Sequence, residues 1–149
     1  MICNFYSKVG IALPFKQKEI AKVINSVAAN LKIRKNYEIT VLAVGDQQIK
    51  KINKKFKRQN KITDVLTFSQ QEGQPIILPK AESNYLGDII ICYPQIKRQA
   101  KQFGQSVKKE FYLILIHGFL HLLGYQDETQ KDYLIMKKMQ EKLLTNFYD

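Results

Sequence analysis

The chain has 149 residues, and at roughly 100 to 200 residues per domain the expected organisation is a single domain spanning 1–149. With 45% apolar and 11% aromatic residues, seven Gly and four Pro, it can bury a substantial core, which excludes intrinsic disorder and fibrous repeats. Lysine and arginine number 24 against 13 acidic residues, a net charge of +11, and a surplus of that size points to a polyanionic partner, either nucleic acid or an anionic membrane.

The opening MICNFYS is short and apolar-rich and suits a first strand, with Gly10 and Pro14 marking the exit. Between Phe15 and Leu31, residues Ile20, Val23, Ile24, Val27 and Leu31 recur at spacings of three and four and predict an amphipathic helix. Glu38 to Gly45 is β-branched and apolar and reads as a buried strand. A helix follows, with Asp46 as the expected N-cap and Ile49, Ile52 and Phe56 as its apolar stripe. Asp64 to Ser69 and Gly87 to Tyr93 are the third and fourth strands. Between them Gly73, Pro75, Pro79 and Ser83 predict an irregular loop, with a short β piece at Ile76 to Leu78. Pro94 starts a short basic helix to Phe103, Gly104 breaks it, and Ser106 caps a long apolar helix to Leu123 that Gly124 ends. Tyr133 to Phe147 is the last helix, with Ile135, Met139, Leu143 and Phe147 turned inward. This order predicts an α+β fold in which one small mixed sheet, about four strands, is flanked by about five helices, the long apolar helix lying at the centre.

Cys3 and Cys92 are the only cysteines and both lie in apolar runs, so buried thiols and a reducing, cytoplasmic setting are expected; the N-terminal residues do not resemble a secretory signal. The longest apolar tract, Phe111 to Tyr125, has 15 residues and is interrupted by His117, Gly118 and His121. A bilayer needs roughly 20, so the tract reads as a core helix and no membrane association is expected.

Both histidines of the chain fall in that helix, four residues apart, which stacks their side chains on one face within reach of a single metal ion. Gly124 can turn the chain back, and Asp127 then stands ten residues after His117 as the expected third ligand. These offsets are those of the metzincin pattern H-E-x-x-H-x-x-G-x-x-H, with two changes: Gly118 occupies the position of the protease's basic Glu, and an Asp takes the last position. A plainer reading remains open, in which the histidines are satisfied core residues and Asp127 or Thr129 caps the last helix, with Gln130 or Asp132 completing a capping box. Three protein ligands would leave a coordination position open, the condition for a catalytic rather than a structural site.

Lys50, Lys51, Lys54, Lys55, Lys57, Arg58 and Lys61 form a cationic stretch with no acidic residue, and Lys97 to Lys109 is a second. Solvated helix faces usually intersperse both signs, so these stretches favour phosphate binding over mere solubility. No motif for stacking RNA bases is recognisable.

The segment HGFLHLLGY is similar to the signature H-G-x-L-H-L-x-G-Y-D-H of the YbeY endoribonucleases. INKKFKRQNKITDVLTF resembles that family's L-N-x-x-Y-R-x-x-x-x-P-T-D-V-L-S-F, and LGDIII its L-G-D-I-x-I, so the likeness extends over residues 38 to 145. Asp127 stands where the family has its last histidine, Gln126 where it has Asp, Ile62 where it has Pro, and Lys57 where it has the motif arginine, with Arg58 one position along. The resemblance implies a cytoplasmic, single-strand-specific RNA hydrolase acting in ribosomal RNA maturation and ribosome quality control. It implies one Zn2+ per chain held by three side chains, here His117, His121 and Asp127, with Lys57 or Arg58 stabilising charge on the phosphate and ribosomal RNA, or a ribosomal subunit, as partner. Two other classes stand beside it: a ribosome-associated RNA-binding factor without turnover, and a metzincin-like metalloprotease lacking its Glu.

Overall fold

The computed structural model describes residues 1–10, 12–70 and 84–147. The elements, in chain order, are β1 (Ile2–Ser7), α1 (Gln17–Asn30), β2 (Glu38–Val44), α2 (Asp46–Ile52), β3 (Val65–Ser69), β4 (Tyr85–Cys92), α3 (Tyr93–Phe103), α4 (Val107–Leu122) and α5 (Gln130–Leu144). Helix α2 runs on into a π-helical turn, Asn53–Lys57. The expected loop and its β piece at 76 to 78 lie outside the described residues.

The sheet has the order β1-β2-β4-β3. β1, β2 and β4 are parallel, and β3 joins β4 antiparallel as an edge strand. Alternation along the strands sends their side chains into two cores. Ile39, Val41, Ile89 and Ile91 face α1 and α4 on one side, and α5 packs against α4 in the same core. Leu42, Val44, Leu66, Phe68, Ile90 and Cys92 face α2 on the other, packing against Ile49. β4 is therefore buried along its whole length, which accounts for its unbroken apolar run IIIC. The result is the expected α+β arrangement, a four-stranded mixed sheet between helices with α4 buried at the centre.

Both thiols are free and buried, and burial pushes each up to about 12, so they remain protonated at neutral pH. No helix among the described residues is long and apolar enough to cross a membrane.

Three expectations are corrected. Gly45, not Asp46, holds the N-cap of α2, because the Asp46 carboxylate is engaged by Arg98: Nη2 donates to Oδ1 at 2.7 Å and Nη1 to Oδ2 at 3.1 Å. The last helix begins at Gln130, since the Thr129 side chain accepts from the Asp132 backbone N–H at 3.1 Å and starts it three residues earlier than its apolar pattern suggests. Its inner stripe is Met136, Leu143 and Leu144, with Met139 and Phe147 half-buried, whereas Ile135 is exposed beside Tyr133 and Leu134.

Candidate metal centre and its flanking clefts

Helix α4 reaches the site because its N-terminal half is anchored. The Ser106 hydroxyl accepts from the Lys109 backbone N–H at 3.1 Å, and ten of its residues, from Glu110 to Leu122, are buried. At Gly118 the helix presses on the sheet. A Cβ there would stand 2.8 Å from Ile89 Cγ2 and close to Thr67 and Val65, so this position faces the sheet and has no room for a side chain. That closes the place at which a metzincin keeps its basic Glu, and it carries His117 and His121, on the neighbouring face, out to the edge beside β3.

The two imidazoles meet there. His117 Nε2 and His121 Nε2 are 3.0 Å apart, and Asp127 Oδ2 lies 3.7 Å from the first and 3.5 Å from the second. All three side chains are about a quarter to a third exposed, so the site is open to solvent on one side. The other ring nitrogens are already committed. His121 Nδ1 donates to the Tyr125 carbonyl oxygen at 3.0 Å, and His117 Nδ1 donates to Gln140 Oε1 at 2.6 Å. Burial pushes the His121 imidazole below its ordinary value, with the neighbouring His117 adding to the effect, so His121 is neutral at physiological pH. The two Nε2 atoms and a carboxylate oxygen thus converge on one point. A tetrahedral ion at ~2.0–2.1 Å from each donor requires donors ~3.4 Å apart, which the observed distances straddle. The donor set therefore suits one divalent ion of the zinc type, with a position left over.

The local chain path explains how Asp127 arrives. Gly124 adopts a φ of +101°, which lets its N–H donate to the His121 carbonyl and the Tyr125 N–H to that of Leu120. The same turn brings the Tyr125 carbonyl onto His121. Capping of α5 falls to Thr129, leaving Asp127 to face the histidines. Of the two residues that could cap α5, Thr129 takes the role and Asp127 does not.

His117 separates two clefts. One, of about 400 Å3, is polar and is lined by Asn53, Lys57, Lys61 and Thr67 together with both histidines. The buried Asn53 side chain donates to the Lys61 carbonyl at 3.0 Å and holds the connection to β3 along the cleft. Lys57 reaches in from the π-helical turn, its Nζ 4.9 Å from the centre of the Phe68 ring. Arg58, with a φ of +58°, closes that turn and is exposed outside the cleft lining. Lys61 lines the cleft as well, while Lys50, Lys51, Lys54 and Lys55 lie away from it along α2 and its extension. In the second cationic stretch Arg98 is paired with Asp46, and Lys108 with Glu19 at 2.5 Å, so these two charges serve the fold. The other cleft, of about 350 Å3, lies between α4 and α5 and is mostly apolar.

Gln140 escapes a reading of the sequence because it lies on α5, 23 residues from His117. Its one signal is a polar residue between Met136 and Leu143 on the buried face of that helix, and this shows only once the stripe is placed correctly.

A family model described as Endoribonuclease YbeY matches residues 2–148. The chain is 34% identical over 144 residues to the Endoribonuclease YbeY of Staphylococcus carnosus, covering 97% of this chain and 87% of that protein. With its namesake from Caldicellulosiruptor saccharolyticus it shares 39% over 136 residues, 85% of this chain and 86% of that one. A solution structure from Thermotoga maritima has the same fold, with a TM-score of 0.59 at 24% identity, covering 98% of this chain and 91% of that one.

Proposed function

The chain belongs to the endoribonuclease YbeY family, and from that membership we propose that it is a zinc-dependent, single-strand-specific endoribonuclease of ribosomal RNA maturation and ribosome quality control. In this reading residues 1–149 form one hydrolase domain, and its partner is ribosomal RNA or a ribosomal subunit.

The observation that carries the reading is the meeting of His117 Nε2, His121 Nε2 and Asp127 Oδ2 at the wall of a cleft that also holds Lys57 and Lys61. One Zn2+ per chain, when bound there, supplies Lewis acidity toward a phosphodiester. Gln140 and the Tyr125 carbonyl engage Nδ1 of His117 and His121, which orients both rings and leaves Nε2 of each as the ligating atom. Asp127 adds the single negative charge of the ligand set. Lys57, a compact ammonium on a flexible stem, stabilises charge that develops on the phosphate. Lys61 holds the neighbouring phosphate, and Arg58 with Lys50, Lys51, Lys54 and Lys55 draws the strand in from outside the cleft.

Elemental analysis of wild type beside Asp127→Ala, followed by incubation of the same samples with single-stranded RNA, tests this. Near-stoichiometric zinc that is lost in the variant, with cleavage following the metal, is the expected result. A wild type that takes up no metal even when zinc is supplied would overturn the site. Salt-sensitive RNA binding without turnover by the zinc-loaded chain would make the protein an RNA-binding factor instead.

A further inference from the structure

The apolar cleft on the far side of His117 enters that reading only through His117, Asp127 and Gln140. It is a hollow of about 350 Å3 walled by Leu113 and Met136, with Phe103 from the end of α3 and Tyr133 from the start of α5 at its rim and His117 and Asp127 opening into it. Phe103 is 62% and Tyr133 47% exposed. Single apolar side chains in water are ordinary on any protein surface. Two aromatic rings from different helices, converging on one apolar hollow that shares its wall with a metal-ligating pair, have the composition of a ligand subsite.

The chemistry on the two sides of His117 identifies the ligand. On one side lie Lys57, Lys61, Asn53 and Thr67, groups that take up phosphate, with Asp64 as the one acidic residue of the lining. On the other lie two aromatic rings and apolar walls, with Gln140, Lys137 and Glu141 supplying hydrogen-bonding groups at the margin. A strand that alternates anionic linkages with flat, partly apolar rings matches both sides at once. We propose that the cleft is a nucleobase subsite, in which one unpaired base of the RNA strand stacks on Phe103 and Tyr133 while the phosphodiester beside it lies at His117. This rests on the ribonuclease reading of the site and adds to it the residues that hold the base.

The subsite accounts for strand selectivity in physical terms. A base in a duplex is already paired and stacked on both faces, so only a base free of its neighbours can enter the hollow. Every base has a π-face, so the contact tolerates different sequences and ranks them by stacking strength.

The test is a binding measurement that does not need turnover. Single-stranded RNA carrying one 2-aminopurine is titrated in EDTA with wild type, Phe103→Ala, Tyr133→Ala and Phe103→Trp, and the quenching of its fluorescence is followed. Phe103 is exposed, so its substitution leaves the core intact, and circular dichroism and zinc content check this. The expected result is quenching by wild type and Phe103→Trp, with affinity falling on the order of tenfold in each alanine variant. An abasic residue at the same position of the RNA should erase the difference between wild type and Phe103→Ala. Equal quenching by wild type and both alanine variants overturns the subsite, as does the absence of quenching by wild type. A wild type that self-associates and becomes monomeric on Phe103→Ala also overturns it, making the patch a contact between copies. Cleavage by the zinc-loaded wild type is scored separately: quenching without cleavage defeats the nuclease reading and leaves the base subsite standing, whereas cleavage without quenching does the reverse.

Discussion

Gln140 on α5 holds His117 on α4: the imidazole Nδ1 donates to the amide oxygen at 2.6 Å, so the last helix sets the tautomer of a residue on the central one. Partners of this kind tune metal affinity by about 10–100-fold. Gln140→Ala should therefore bind zinc that much more weakly in a competition titration against a chromophoric chelator, with its helical content unchanged. Gln140→Glu, which keeps an acceptor oxygen, should bind within a few-fold of wild type. Equal affinity of all three proteins would remove Gln140 from the site.

Asp127 stands where a histidine completes the family signature, and its Oδ2 lies 3.5 Å from His121 Nε2. Asp127→His should restore a third imidazole and retain one zinc per chain, whereas Asp127→Ala should not. Metal content alone decides this; loss of zinc from the histidine variant would mean that the turn after Gly124 suits only the shorter carboxylate.

Lys57 lines the polar cleft and Arg58 does not. Lys57→Ala should lower kcat on single-stranded RNA on the order of 100-fold, the scale of one electrostatic contact in the transition state. Arg58→Ala should act mainly on KM and should flatten the salt dependence of RNA binding. The opposite pattern would make Arg58 the catalytic cation.

A Cβ at position 118 would meet Ile89 Cγ2 at 2.8 Å, and that methyl is fixed on a fully buried strand. Gly118→Ala gains about 1 kcal/mol of helix propensity and loses about 1–3 kcal/mol to overpacking. A net decrease in the urea midpoint is expected. Gly118→Glu, which would supply the protease's base, drives a carboxylate against Ile89, Val65 and Thr67 and should not yield folded protein.

Arg98 holds the Asp46 carboxyl below its usual range. The folded state thus binds this proton less readily than the unfolded chain. Its contribution is complete above the unfolded value of ~3.9 and is lost as pH falls through the lower folded one. Both side chains are partly solvated, so the effect should be under about 1 kcal/mol. Urea midpoints of wild type and Arg98→Gln should differ at pH 6 and converge near pH 2; a difference that persists in acid would place it in packing rather than in charge.

The strands and the centre of the candidate site were legible because they depend on local patterns. Unbroken β-branched and apolar runs mark β2 and β4, and a spacing of four puts His117 and His121 on one face whatever the rest of the chain does. Distant partners were not legible. Asp46 reads as a cap until Arg98, 52 residues on, takes its carboxylate. On α5 a phase error of one residue rotates the helix by about 100°, so choosing Ile135 over Met136 hides both Gln140 and the aromatic rim. Phe103 and Tyr133 share no local pattern, and only the packing of α3, α4 and α5 brings them to one hollow.

The manner in which α5 is attached has a consequence for the order in which the molecule opens. Its buried anchors are few, Met136, Leu143 and Leu144, while its first turn exposes Tyr133, Leu134 and Ile135. The helix begins just after Asp127 and reaches back to His117 through Gln140. Its amides should therefore exchange ahead of those of β2 and β4, and a cation bound by His117 and Asp127 should slow that exchange by clamping both ends of the connection.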